Sequence, residues 1–108
     1  MKKKSKQRRY EHQFMVDFTL PEILTDDFMS LIPHQRARVN HFFSEGILVN
    51  YAMSLDESKL WAVFNADSEA EVLELVLQLP LTQFMEVRIS MLTFYNTSQE
   101  PTPAFSMN

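Results

Sequence analysis

ILVNYAMS (47–54), LDES (55–58) and KLWAVFNA (59–66) follow one another without a gap, and this stretch decides the fold. The first and third blocks are rich in β-branched, aromatic and other apolar residues. The Asp-Glu-Ser turn between them continues neither strand, so the spacing predicts a β-hairpin. A lone hairpin is marginal in water and needs further partners. Upstream, Gly46 is the only glycine in the chain and follows Ser44-Glu45, where a helix needs a left-handed C-terminal residue. The helix it ends shows Phe28, Ile32, Val39 and Phe42 or Phe43 at helical spacing, with Thr25 or Asp26 as cap. Pro33 either kinks that helix or begins a second one at its first turn. Downstream, Ser68 and Glu71 form a capping box, and Val72, Leu75, Val76 and Leu79 make an apolar stripe that Pro80 closes. At the two ends, 12–19 (HQFMVDFT) and 83–95 (QFMEVRISMLTFY) read as strands. The order is β-α-β-β-α-β: an α+β domain with a four-stranded antiparallel sheet and two helices on one face.

Alternation assigns the faces. Phe14, Val16 and Phe18 lie opposite Met15, Asp17 and Thr19 on the first strand; Val87, Ile89 and Met91 lie opposite Glu86, Arg88, Ser90 and Leu92 on the last. The face without helices then carries Met15, Trp61, Val63 and Leu92 among its polar residues, too apolar for a monomer's surface. Pairing two such sheets face to face buries it, so a homodimer or larger homo-oligomer is expected, with a small-molecule ligand in the inter-sheet cavity.

Composition narrows the classes. Apolar residues make up 45% of the 108 residues, enough for a single core. With no Cys, disulfides, thiolate metal sites and Cys nucleophiles are absent, in keeping with an expected cytoplasmic location. No apolar run reaches the roughly 20 residues needed to span a bilayer, and no membrane partner is expected. Residues 1–10 hold six of the ten basic residues, while the remainder sets four against all fourteen acids, a formal balance of −10. An acidic folded surface is a poor nucleic-acid platform. The boundaries that follow are a disordered basic tail over 1–11, the domain over 12–95, and a tail or an arm reaching onto a neighbour over 96–108.

Gln78-Leu79-Pro80-Leu81 running into Phe84-Met85-Glu86-Val87 resembles the "QLPLFPYMDIEV" of the muconolactone isomerase family. Glu45-Gly46 matches that family's Glu-Gly before the second strand, and Trp61-Ala62-Val63-Phe64-Asn65 its Tyr-Ser-Val-Phe-Asp. The resemblance runs from about Leu20 to Leu92 and implies a ferredoxin-like, dimeric α+β barrel. It also implies a cofactor-free isomerase that moves a proton in a small lactone or unsaturated ring acid, as in aromatic compound degradation. The chain departs from the family at two polar stretches: Leu48-Val49-Asn50 stands for Trp-Arg-His, and His34-Gln35-Arg36 for Asp-Glu-Lys.

Such a reaction needs a base near the acidic carbon and a cation for the substrate carboxylate. Asp17, Glu86 and His41 are the candidate catalytic residues, and Arg88, Asn50, Tyr51 and Trp61 the candidate substrate-binding ones. Arg88 serves as carboxylate clamp, Asn50 as hydrogen-bond donor, and Tyr51 and Trp61 as stacking surfaces. The same charges also read as a Glu86–Arg88 or Asp17–Arg88 ion pair in a wet interface. His34, Arg38 and His41 share one side of the first helix, but the Arg between two His makes a poor metal site, and no metal is expected. No Gly-rich phosphate loop or nucleophile elbow is present. Two further readings use the same barrel: a non-catalytic ligand-binding or oligomer-forming protein, its cavity filled by Met15, Met53, Trp61 and Leu92, and a cofactor-independent oxygenase.

Overall fold

A computed structural model describes residues 10–98. Most of the basic segment 1–11, and the C-terminal segment beyond residue 98, lie outside the described residues. The elements are β1 (His12–Thr19), α1 (Asp26–Ser30), α2 (Ile32–Ser44), β2 (Leu48–Ser54), β3 (Lys59–Ala66), α3 (Glu69–Val76) and β4 (Glu86–Met91). They form the expected α+β, ferredoxin-like arrangement: a four-stranded sheet in the order β2-β3-β1-β4 with every neighbouring pair antiparallel.

Register places Phe14, Val16 and Phe18 opposite Phe64, Ala62 and Leu60 on one side and Met91, Ile89 and Val87 on the other. With Val39 and Phe42 of α2 and Val72 and Val76 of α3, these strands build the main core. Phe14, Phe18, Phe42 and Phe64 are all buried. Each such ring contributes about 1.5–3 kcal/mol on leaving water. Phe42 meets Phe64 edge to face with ring centroids 6.2 Å apart. A smaller cluster of Leu20, Phe28 and Leu81 packs beneath the start of α2.

Local chemistry fixes the element ends. Thr25 Oγ1 accepts the Phe28 N–H at 3.2 Å and caps α1. Pro33 starts a second helix, where its missing N–H costs nothing, so the first helical layer is a pair of helices. Gly46 adopts φ 74°, the left-handed position expected after α2. Ser68 Oγ accepts the Glu71 N–H at 3.1 Å, while Glu71 reaches back to the N–H of Asp67.

The last strand is shorter than its sequence suggests. Pro80–Phe84 forms a 3-10 turn, in which Leu81 and Thr82 are buried and Thr82 Oγ1 donates to the Val76 carbonyl at 2.8 Å. After Met91 the chain leaves the sheet edge. The Leu92 N–H donates to the Gln13 carbonyl at 2.8 Å, and Asn50 Nδ2 donates to Tyr95 Oη at 2.7 Å. These bonds carry residues 92–95 from the β4 side toward β2 at one end of the face without helices. The complete burial of Val63 on that face is in keeping with this crossing. The open face is therefore partly covered by the chain itself.

Candidate functional site

On the open face, β4, β1 and β3 bring two rows of side chains together. One row is Glu86, Thr19 and Lys59; the next is Arg88, Asp17 and Trp61. Directly opposed residues of an antiparallel pair stand close enough to interact, so charges of both signs alternate across three strands. Asp17, Thr19, Lys59, Glu86, Val87 and Arg88 line a cavity of about 330 Å³.

Lys59 is the organiser of this cavity. Its Nζ donates to Asp17 Oδ1 at 3.1 Å and to Thr19 Oγ1 at 3.0 Å. The pair's side chains are about a third exposed, 34% for Lys59 and 32% for Asp17. Asp17 is therefore paired with Lys59 rather than Arg88, and among the described residues neither Glu86 nor Arg88 has an ion-pair partner. One exposed carboxylate and one exposed guanidinium thus stand beside a Lys59–Asp17 pair that is already engaged. Sequence reading missed Lys59, although strand alternation places it two positions before Trp61 and so on the same face.

The remaining candidates lie elsewhere. Trp61 stands in the Asp17 row but does not line this cavity. Asn50 is on the open face but at its far end, engaged with Tyr95. His41 is exposed on α2 with His34 and Arg38, beside Gln78 and Pro80, in a groove outside the sheet. Tyr51 pairs with Ala62 and so points to the helix side, as does Met53 opposite Leu60. Neither can line an inter-sheet cavity. One residue's shift in parity, at the irregularity between Leu48 and Asn50, makes this edge strand hard to phase from sequence.

Tyr51 belongs to a second cavity, of about 430 Å³, between α1, α2 and the edge strand β2. Its walls are largely apolar, with Phe28, Ile32, Val39 and Leu81 among them. The Gln35 side chain, 3% exposed, is clamped there: Oε1 accepts the Leu81 N–H at 3.0 Å, and Nε2 donates to Tyr51 Oη at 2.9 Å. Burial pushes the Tyr51 phenol above its usual range, and the hydrogen bond from Gln35 opposes that only in part. Among the described residues no group of three or more His, Cys, Asp or Glu side chains could hold a metal ion. Among the described residues no helix is long and apolar enough to cross a membrane.

Comparison with known proteins agrees with this architecture. The sequence model of a family described as muconolactone delta-isomerase matches residues 11–98. Among solved structures, the chain is similar to the crystal structure of muconolactone isomerase at 3.3 Å resolution, with a TM-score of 0.64 and 19% identity. That match covers 83% of this chain and 97% of the other, and at such identity it speaks for the fold alone. No protein of curated function matches the sequence.

Proposed function

The chain belongs to the muconolactone delta-isomerase family, and from that premise we propose that it is a cofactor-free isomerase moving a proton within a small unsaturated ring acid or lactone. The observation that carries this reading is the open-face cavity, where Glu86 and Arg88 lack ion-pair partners among the described residues and Lys59 and Asp17 stand beside them. Arg88 binds the substrate carboxylate, a task suited to its planar fork of donors. Glu86 takes the proton from the acidic carbon; the C–H electrons move into the ring system and onto the carbonyl oxygen. Lys59, held by Asp17 and Thr19, lies where it offsets that negative charge. Glu86 then returns the proton at the far end of the unsaturated system, so the double bond shifts with no net gain or loss of atoms or electrons. The protein works as a homodimer or larger homo-oligomer, a second copy closing the part of the open face that residues 92–95 leave uncovered.

A second reading, a non-catalytic ligand-binding protein, draws on Gln35. It stands where familiar members carry an acid, and both ends of its amide are committed to structural hydrogen bonds.

Turnover of a panel of unsaturated lactones and ring acids, followed by ultraviolet absorbance, separates the two. Arg88→Ala is expected to raise KM with kcat little changed, since it removes a contact to a group the reaction leaves alone. Glu86→Gln is expected to lower kcat by about a hundredfold or more. Absence of any turnover in the panel, with no binding, would defeat the isomerase reading.

A further inference from the structure

A third groove lies away from the sheet, along the exposed side of α2. His34, Arg38 and His41 recur there at i, i+4 and i+7, so each imidazole stands one turn from the guanidinium. All three are exposed, whereas Gln35, Val39 and Phe42 carry the burial of α2. Across from them run Gln78, just after α3, and Pro80, which opens the 3-10 turn. With Ala37 these residues line a groove of about 370 Å³.

The chemistry of this groove runs against that of the rest of the domain. Beyond residue 10 the chain holds four Lys or Arg against fourteen acids, yet no carboxylate lines the groove. Glu45, one turn past His41, and Glu74, one turn before Gln78, are the nearest acids along the chain; both are exposed and neither lines it. Among the described residues Arg38 and the two imidazoles have no ion-pair partner. Arg38 brings a fork of donors, each imidazole an N–H, and Gln78 an amide NH₂.

We propose that this groove binds a phosphate group carried by a small aliphatic compound, the phosphate at Arg38 between the two imidazoles and the body against Ala37 and Pro80. Donors on either side of a guanidinium suit a tetrahedral anion, whose oxygens point in different directions. A carboxylate has its two oxygens in one plane and engages the guanidinium alone. The groove lies at the small end of the range for small-molecule sites, with room for a phosphate and a short body. This assignment is independent of the isomerase reading.

Proton NMR of the full-length protein, titrated with glycerol 3-phosphate at constant ionic strength, tests it. The chain has three His residues, and His12 lies on β1, outside the groove. Ring C–H signals assigned from His34→Gln and His41→Gln therefore report the groove itself. Saturable shifts of both signals are expected, with His12 unmoved. Arg38→Gln, an exposed change that keeps a good helix former, is expected to weaken binding by about tenfold or more, the scale of a hydrogen bond to a charged group. Arg88→Ala is expected to leave the His34 and His41 titrations unchanged, so that phosphate drawn to the open face is not mistaken for this site. Inorganic phosphate is expected to bind more weakly; equal affinity would overturn the place given to the aliphatic body. Acetate binding as tightly as the phosphate ester would overturn the choice of anion. The proposal also fails if millimolar ester gives no saturable shift, if His12 moves in step with the other two, or if folded Arg38→Gln titrates like wild type.

Discussion

The two faces of this sheet are made by the same strands and differ in almost every physical respect. On the helix side, Phe14, Val16, Phe18, Leu60, Ala62 and Phe64 are each at most 2% exposed. One residue along, Met15, Asp17, Thr19, Lys59 and Trp61 are half-buried. The first set is held by dispersion and exclusion of water, which reward any close-packed apolar group. The second is held by specific pairs, such as Lys59 with Asp17 and Thr19. A face built by exclusion is demanding about volume. A face built by pairs is demanding about charge and partner.

The largest expected effect tests the packed face. Phe64 has no exposed surface and meets Phe42 edge to face. Phe64→Ala is expected to destabilise the domain by about 3–5 kcal/mol, read from urea denaturation, because the cavity left behind adds to the lost transfer energy. A loss below about 1 kcal/mol would mean that this core collapses around the gap and is packed far more loosely than its burial implies.

The packed face was also the legible one. Alternation in HQFMVDFT and KLWAVFNA shows which residues go inward, because burial tolerates only one chemical type there. The sole glycine and the capping Ser68 mark helix ends for equally local reasons. The open face was legible as a set but not as pairs. That Asp17 meets Lys59 follows from the register of β1 on β3, which aligns Thr19 with Lys59, and register is a property of two strands together. The Gln35 clamp is further out of reach, since it joins α2, β2 and the turn after α3. Past Met91 the chain is held by the bond that Leu92 N–H donates to Gln13 of β1 and the bond that Tyr95 Oη accepts from Asn50 of β2, both remote in sequence, so the local pattern overran the end of β4.

Gln35 itself breaks the simple contrast, being a pair-forming residue on the packed side. Gln35→Leu keeps the apolar wall but leaves the Leu81 N–H and the Tyr51 hydroxyl without their partner. A buried donor left unsatisfied costs about 1–3 kcal/mol, so the variant should lose stability despite being more apolar. A gain would show that water reaches Leu81 N–H.

The smallest effect belongs to the charged pair and bears most directly on what covers the open face. Lys59 and Asp17 are each about a third exposed in the single chain, and pairs of that kind contribute about 0–1 kcal/mol after solvent screening and side-chain ordering. Lys59→Met is therefore expected to shift stability by no more than about 1 kcal/mol at low protein concentration. The same variant removes one of the two cations from the cavity, so weaker binding of small carboxylates should accompany the unchanged stability. A second copy seated over this face would strip water from Asp17, and breaking a buried pair costs about 3–5 kcal/mol. Denaturation measured across a range of protein concentrations tells these apart. A small loss at every concentration leaves the pair solvated, whereas a loss that grows as the protein associates places it inside an interface.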